Sequence, residues 1–254
     1  LRFEMHGWER ILLNSMTLYL FFVLLRTVGL ILFAFISFYR RKRTSQLTHY
    51  PLVSVLIPCF NEEKVIKASM ESALNLSYPN LEIIIIDDGS RDRTFEVADS
   101  AFSNRKVRLI YKENSGKAEA LNRGLMEAQG EFVLCMDADS VLEKDALANA
   151  IARFEDRPNL AAVAGCVRPV RGEGILVSLQ DLEYLAGLNI HKEAQTLLST
   201  VTLIPGPIGV FRKEILHSIG GYHSDTFAED CDLTVRLLMK GYEVSYGADV
   251  IAKT

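Results

Sequence analysis

One uninterrupted apolar run near the N-terminus constrains this chain more than any other feature. Residues 15–39 read SMTLYLFFVLLRTVGLILFAFISFY and carry a single charge, Arg26. About 20 apolar residues are enough for a helix to span a bilayer. The basic sequence RRKR follows at once at residues 40–43, and such clusters mark the cytoplasmic end of a span. The sequence therefore predicts an N-terminal flank at 1–14, a transmembrane helix at 15–39 and a basic juxtamembrane linker at 40–50.

Two other interpretations of the apolar run are a signal peptide and a buried core helix. A signal peptide has a shorter apolar core and a small-residue cleavage site in place of a basic cluster. Arg26 is the feature that fits a span least well, because Arg at the bilayer centre costs about 2.5–3.5 kcal/mol on insertion scales. We expect Arg26 to pair with another membrane helix of a longer, multi-span protein, of which this chain is a fragment.

The charge changes sign after the basic cluster. Residues 1–43 hold seven Lys and Arg and two Asp and Glu. The rest of the chain holds 21 Lys and Arg and 30 Asp and Glu, a net charge of −9. Nucleic-acid binding needs a basic surface to neutralise phosphates, so we expect no nucleic-acid partner. The cysteines and histidines show no metal-site spacing, which argues against a zinc hydrolase. Clustered carboxylates could still hold a divalent cation.

Short apolar runs alternate with helical periodicity from residue 51 onward. The runs predict strands at 53–57, 81–86, 107–111, 131–136 and 161–164. The periodic segments predict helices at 62–74 with Asn61 as its cap, from Ser90 to about 102, and at 117–128, 144–154, 174–195 and 229–240. This alternation is typical of a mostly parallel sheet with helices on both faces. We therefore predict a Rossmann-like α/β domain over residues 51–254.

Polar and acidic residues follow four of the predicted strands. They lie in PCFNEE (58–63), DDGS (87–90), NSGK (114–117) and DAD (137–139). In open α/β sheets ligands bind beyond the carboxyl ends of the strands, so these segments are predicted to share one site. No G-x-G-x-x-G follows the first strand, and the NSGK segment lacks the first Gly and the Ser or Thr of a phosphate loop. A dinucleotide site and a Walker site are therefore excluded.

Two acidic pairs are the strongest candidates for chemistry. Asp137 and Asp139 point the same way if the backbone is extended, and could hold Mg²⁺ or Mn²⁺ beside a diphosphate, although such a pair also arises by chance. Glu229 and Asp230 open a predicted helix, where acids ordinarily serve as dipole partners. Just upstream, the stiff PGP turn at 205–207 could shape a pocket. We assign Gly206, Pro207 and Glu229 to an acceptor pocket.

Together these motifs resemble glycosyltransferase family 2, most of all its membrane-embedded processive branch of cellulose, hyaluronan, chitin and poly-N-acetylglucosamine synthases. Within that branch the cysteine after Pro58, QDLEY (180–184) and AEDCDLT favour the poly-N-acetylglucosamine type. The matching segments, in the order of the family, are VSVLIPCFNEE (53–63), IIDDGSRDRT (85–94), NSGKAEALNRGL (114–125), CMDADS (135–140), PGPIGVFRKEIL (205–216) and AEDCDLTVRLLMKGY (228–242).

The resemblance implies a GT-A fold, a UDP-sugar donor, inversion at the anomeric carbon and Mg²⁺ or Mn²⁺ as cofactor. The sugar is expected to be N-acetylglucosamine, and the acceptor a polysaccharide or a lipid-linked sugar. The roles that it implies are uracil contact for Asp88, the nucleotide pocket for Pro58 and Glu62, diphosphate contact for Lys117, nucleotide contact for Asp137, metal binding for Asp139 and the catalytic base for Asp230.

Two departures from the family pattern qualify these expectations. Ala228 stands where the family usually has Thr, next to the Glu-Asp pair. The Gln-x-x-Arg-Trp motif of the processive branch is expected beyond Thr254, together with later membrane helices, so the fragment is expected to bind donor without polymerising. The catalytic domain is expected at the cytoplasmic face of the cytoplasmic membrane, where export subunits could join it. Two alternatives stay open: a single-transfer enzyme acting on a lipid or protein acceptor, and an inactive nucleotide-sugar-binding subunit.

Overall fold

The computed structural model describes most of the chain, and every structural statement below concerns that part. The described residues are 7–40, 47, 49–100, 106–169, 179, 189–198, 200–226 and 228–254. Most of the helix predicted at 174–195, including the QDLEY segment, lies outside them. Its C-terminal end falls within them and is helical.

The helices and strands alternate along the chain as the sequence predicts. The helices are α1 (Gly7–Arg40), α2 (Ile66–Leu74), α3 (Thr94–Ser100), α4 (Lys117–Glu127), α5 (Ala146–Ile151), α6 (Ile190–Leu197), α7 (Lys213–Ser218) and α8 (Glu229–Met239). The strands are β1 (Val53–Cys59), β2 (Leu81–Asp87), β3 (Val107–Tyr111), β4 (Phe132–Cys135), β5 (Val141–Leu142), β6 (Leu160–Arg168), β7 (Gly209–Arg212) and β8 (Glu243–Lys253).

The strands form one sheet in the order β3-β2-β1-β4-β7-β6-β8-β5. β3, β2, β1 and β4 are parallel neighbours, and β6 and β8 are parallel to each other. β7 runs antiparallel to both β4 and β6, and β5 runs antiparallel to β8. The prediction of a mostly parallel α/β sheet is therefore confirmed, with β5 and β7 as the reversed strands. The parallel carboxyl ends of β1, β2 and β4 meet at one edge.

Helices cover both faces of the sheet. On one face, apolar residues of α2, α3 and α5 pack in a cluster with β1 and β2. On the other face, α4, α7 and α8 pack against the same central strands. β2 has the sequence LEIIIID, and all of its residues but Glu82 are buried, because a strand covered on both faces needs apolar side chains in both directions. The helices that carry Lys117 and Asp230 thus share a face.

Two predicted helix starts are wrong. α2 begins at Ile66 rather than at residue 62, and Asn61 is no cap because it adopts a left-handed backbone with φ 57°. α3 begins at Thr94, whose N–H donates to Asp92 Oδ1 at 3.0 Å, so Ser90 is not its cap. In both cases the residues after the strand bond to the neighbouring loop instead of to the helix. These hydrogen bonds join the loops after β1 and β2 at the carboxyl edge of the sheet.

The apolar run lies within one continuous helix, α1, which begins eight residues before the predicted span. Its stretch Gly7–Ser37 is long and apolar enough to cross a membrane, and its side chains are largely exposed. Within the described residues α1 packs against α6. Ser37 Oγ donates to Glu193 Oε2 at 3.0 Å, and Arg26 Nη2 lies 3.5 Å from His191 Nε2. Among the described residues Arg26 thus lies next to α6, and its pairing with a second membrane helix stays a prediction.

Candidate active site

A cavity of about 480 Å³ opens at the carboxyl ends of β1, β2 and β4. The sequence analysis assigned six donor and metal residues to the segments after β1, β2, β3 and β4, and all six line the cavity. Phe60 and Asn114 also line it; they lie in the predicted segments but had no assigned role. Among the described residues, those that line the cavity are Pro58, Cys59, Phe60, Glu62, Asp88, Asn114, Gly116, Lys117, Ala120, Asp137, Ala138 and Asp139.

Asp88 holds one wall of this cavity in place. Its carboxylate accepts hydrogen bonds from the backbone N–H groups of Ser115 at 3.0 Å and Gly116 at 2.8 Å, and from the Lys112 ammonium. Asn114 Nδ2 donates to the Asp88 carbonyl oxygen at 2.9 Å. The buried carboxylate therefore fixes the β3–α4 loop, and contact with a donor would use its remaining lone pairs.

Glu62 is presented by two loops that are bonded to each other. The N–H of Asn61 donates to Ser90 Oγ at 3.0 Å, and the N–H of Arg91 donates back to Asn61 Oδ1 at 2.9 Å. The N–H of Glu62 itself donates to Thr94 Oγ1 at 2.7 Å. Burial, and then the nearby carboxylates with Asp139 first among them, raise the pKa of Glu62. The cavity thus concentrates negative charge that a cation would relieve.

Lys117 joins the cavity to the second acidic pair. It is the first residue of α4, and its ammonium lies 2.7 Å from Asp137 Oδ1, 3.6 Å from Glu229 Oε1 and 3.9 Å from Asp230 Oδ2. Burial favours the neutral amine, but the carboxylates of Asp137, Asp230 and Glu229 outweigh it and raise the pKa of Lys117. The Lys117 ammonium therefore contacts both Asp137, a predicted donor-binding residue, and Asp230, the predicted catalytic base.

Asp230 lies in the first turn of α8 with its side chain one-quarter exposed. Burial raises its pKa to about 6; Lys117 opposes this shift, and Glu229 and Asp137 add to it. Its backbone carbonyl accepts a hydrogen bond from Thr234 Oγ1 at 2.6 Å, and the same hydroxyl accepts one from the Ile204 N–H at 3.1 Å. A carboxyl with a pKa near neutrality is suited to accept a proton.

Gly206 closes the cluster from the side of the PGP turn. A Cβ atom at this position would lie 2.8 Å from Lys117 Nζ, 2.9 Å from Asp137 Oδ2 and 2.9 Å from Asp230 Oδ2. The turn is tight, since the Ile208 N–H donates to the Pro205 carbonyl at 3.2 Å. A side chain at this position would therefore require the ends of the three charged side chains to shift. Pro207 follows in the turn, and the lining of the donor cavity includes neither residue.

Phe60 and Asn114 had partial sequence signals as site residues. Phe60 lies within PCFNEE, and its ring is 44% exposed at the cavity, which is unusual for an aromatic residue directly after a buried strand. Asn114 begins the NSGK segment, but only the fold brings its amide to Asp88. An exposed aromatic ring and a buried carboxylate in one cavity are suited to a planar base, because the ring offers stacking and the carboxylate accepts hydrogen bonds.

The donor set at the cavity fits a magnesium-type ion that is completed by phosphate oxygens. Among the described residues no group of three His, Cys, Asp or Glu side chains could hold a metal by itself. Mg²⁺ is usually bound by one or two carboxylates together with substrate phosphates. Asp139 and Glu62 supply carboxylate oxygens at the cavity, whereas Asp137 is already paired with Lys117.

The sequence profile of glycosyl transferase family 2 matches residues 54–220, which are most of the α/β domain. The fold, the order of the motifs and this match agree, and the chain belongs to glycosyltransferase family 2. The family predicted from the sequence is thereby confirmed.

Curated relatives specify the branch. The chain is 36% identical over 195 residues to poly-beta-1,6-N-acetyl-D-glucosamine synthase of Staphylococcus epidermidis, and 34% identical over 195 residues to the enzyme of that name from Staphylococcus aureus. Each match covers 76% of this chain and 47% of the relative. The chain thus spans about half the length of these relatives. They confirm the resemblance to the poly-N-acetylglucosamine type.

Solved structures confirm the GT-A fold. Mannosyltransferase PcManGT from Pyrobaculum calidifontis, in complex with GDP-Man and Mn²⁺, superposes with a TM-score of 0.72 at 26% identity, over 89% of this chain and 64% of that chain. Staphylococcus aureus TarS 1–349, in complex with UDP-GlcNAc, gives a TM-score of 0.60 at 22% identity, over 80% of this chain and 58% of that chain. The overall fold of the α/β domain is therefore shared with solved glycosyltransferase structures.

Proposed function

We propose that this chain is the catalytic domain of a membrane-anchored inverting glycosyltransferase, which transfers N-acetylglucosamine from UDP-GlcNAc to a growing polysaccharide. The observation that carries the proposal is the position of Lys117. Its ammonium contacts Asp137 at the donor cavity and lies within 3.9 Å of Asp230 outside the cavity lining. The names of the curated relatives support the sugar and the polymer.

The donor would lie in the cavity with its base at Asp88 and Phe60 and its diphosphate towards Lys117. Pro58 and Glu62 line the same space, so the nucleotide would rest against the carboxyl end of β1. Lys117 sits at the N-terminus of α4, where the helix dipole also favours negative charge. The cavity therefore combines a site for a planar base with a site for an anion.

A divalent ion, Mg²⁺ or Mn²⁺, would be held by Asp139, and when bound would neutralise charge on the leaving diphosphate. The Mn²⁺ in the complex of PcManGT supports this choice of ion. Lys117 would stabilise the same developing charge from the opposite side of the cluster. Because UDP leaves as a stabilised anion, no carboxylic acid is needed to protonate it, in contrast to the hydrolytic glycosidases.

Asp230 would act as the general base. Its carboxylate accepts the proton of the acceptor hydroxyl while that oxygen attacks the anomeric carbon. The bond between the anomeric carbon and the β-phosphate oxygen breaks, and its electron pair leaves with UDP. This single displacement inverts the anomeric centre. A pKa of about 6 keeps Asp230 ionised at neutral pH and still basic enough to accept a proton.

The membrane side of the proposal rests on α1. Its length and composition suit a bilayer span, and the basic residues 40–43 would place the α/β domain in the cytoplasm by the positive-inside rule. UDP-sugars are then available to the cavity from the cytoplasmic side, and the polymer would leave through the membrane. The division into a flank at 1–14, a span at 15–39 and a linker at 40–50 remains a prediction.

The test is UDP release by the full-length protein in membranes with Mg²⁺ or Mn²⁺, measured against a panel of nucleotide sugars. We expect UDP-GlcNAc to give the highest rate and to yield polymer. Release of UDP with a single added sugar would favour the single-transfer alternative. If no nucleotide sugar is turned over but UDP still binds, the chain is a binding subunit and the proposal fails.

A further inference from the structure

The loop that precedes α8, the helix of Asp230, is bonded to α4, the helix of Lys117, through the side chain of Asn122. Asn122 lies on α4, and its Nδ2 donates to the Tyr222 carbonyl at 2.8 Å. The Tyr222 N–H donates back to Asn122 Oδ1 at 2.9 Å. The amide thus pairs with the backbone of residue 222 through both of its groups, as a neighbouring strand would. A pair of this kind fixes both the distance and the orientation of the loop.

The same loop is bonded to the base helix from its other side. Arg236 lies on α8, and its guanidinium donates to the carbonyl oxygens of Ile219 at 2.9 Å and Gly221 at 2.7 Å. Its Nε donates to Asp232 Oδ2 at 2.7 Å, which orients the side chain. The segment 219–223 is therefore held between α4 and α8, and we call it the 219–223 loop.

Gly221 allows the close approach that this arrangement needs. It has φ +71°, and a Cβ atom at this position would lie 2.5 Å from Asn122 Oδ1. The next residue, Tyr222, is buried, and its ring packs edge-on to Phe211 at 6.4 Å. The loop is thus anchored in the core against β7, the strand that pairs with β4. It is a rigid connection between elements of the site.

We propose that Asn122 is a positioning residue, which sets the place of Asp230 relative to the donor cavity through the 219–223 loop and Arg236. Asn122 lies on the same helix as Lys117, and Arg236 lies on the same helix as Asp230. Displacement of the loop would move the N-terminus of α8 relative to Lys117. This inference rests on the proposed function, since it assumes that Asp230 acts on an acceptor at the edge of the cavity.

Asn122→Ala in the full-length protein separates this role from donor binding. We expect the Kd for UDP and the KM for UDP-GlcNAc to stay within about twofold, while kcat falls by about 10- to 100-fold, as expected when a reacting group is misplaced by about 1 Å. Asn122→Asp keeps an acceptor for the Tyr222 N–H but places a carboxylate against the Tyr222 carbonyl. It should bind UDP normally and also lose kcat.

Asn149→Ala is the matched control. Its Nδ2 donates to the Asp249 carbonyl at 2.9 Å, a bond of the same kind away from the cavity. We expect both alanine variants to lower Tm by similar amounts, but only Asn122→Ala to lower kcat. If the two variants keep the same kcat, or if Asn122→Ala raises the KM for UDP-GlcNAc at unchanged kcat, the positioning role is wrong.

A double-mutant cycle tests the route through the loop. Asn122→Ala and Arg236→Ala should combine to a loss of kcat clearly smaller than the product of their separate losses, because each variant already releases the same loop. Fully multiplicative losses would overturn the proposed route. A wild-type protein that turns over no UDP-GlcNAc would contradict the proposed function instead, so the two failures are distinguishable.

Discussion

The cavity proposed to bind the donor and α8, the helix that carries the proposed base Asp230, are built in different ways. The cavity walls are short loops after β1, β2, β3 and β4, and they are held by bonds between adjacent loops, such as Asn61 with Ser90 and Asp88 with Ser115. Asp230 lies instead at the start of α8, and its place depends on contacts between distant segments, with Asn122 and Tyr222 100 residues apart. Donor binding and proton transfer should therefore be separable by mutation.

The largest expected effect comes from Asp230, the proposed general base. Asp230→Asn keeps the shape of the side chain but removes its basicity, so kcat should fall by about 10²–10⁴-fold, the usual contribution of a general base. The affinity for UDP in the presence of Mg²⁺ or Mn²⁺ should be close to that of the wild type. Isothermal titration with UDP and a UDP-release assay measure the two quantities. Equal losses in both would contradict the separation of the two regions.

Gly206→Ala should damage both regions at once. Its Cβ would come within 2.9 Å of charged atoms of Lys117, Asp137 and Asp230, so those groups must move apart. We expect UDP affinity and kcat to fall together, by about tenfold or more each, since misplacement by about 1 Å can cost 10²-fold.

The control for this variant is Gly29→Ala, because nothing lies within 4 Å of a Cβ at Gly29 in α1. It should retain both UDP affinity and kcat. Wild-type behaviour of Gly206→Ala would show that the cluster is looser than its distances indicate.

Removal of the predicted metal ligand should affect mainly the donor side. Asp139→Ala should weaken UDP binding about tenfold in the presence of Mn²⁺, and should have much less effect when the metal is chelated, because the loss is that of one metal ligand. The comparison is made by titrating UDP with and without EDTA. If chelation weakens UDP binding equally in the wild type and the variant, Asp139 does not hold the ion.

The smallest effect concerns pH. With a pKa of about 6 for Asp230, kcat/KM should be flat above about pH 7 and fall about tenfold per pH unit well below pH 6, since protonation removes the base. Lys117 lowers the pKa of Asp230, so in Lys117→Met the fall of kcat/KM at acid pH should begin at a higher pH. An unchanged pH profile in this variant would show that Lys117 and Asp230 are uncoupled in the working enzyme.

The sequence predicted which acidic residues share the cavity, because the signals are local. An Asp or Glu within a few residues of the end of a buried parallel strand lies at the sheet edge, and Glu62, Asp88 and Asp139 all line the cavity there. The helix starts were predicted less well. Asn61 and Ser90 have the chemistry of caps, but in the fold they bond to each other's loops.

The sequence by itself determined the apolar helix, the α/β alternation and the acidic strand ends, because each of these depends on residues close together in the chain. Only the tertiary structure decided that Lys117 contacts Asp137 and Asp230 together, that Arg26 meets His191, and that Gly206 lies against three charged groups. These contacts join segments whose separation in sequence carries no local signal. They form because packing on the shared sheet brings α4, α6 and α8 into place.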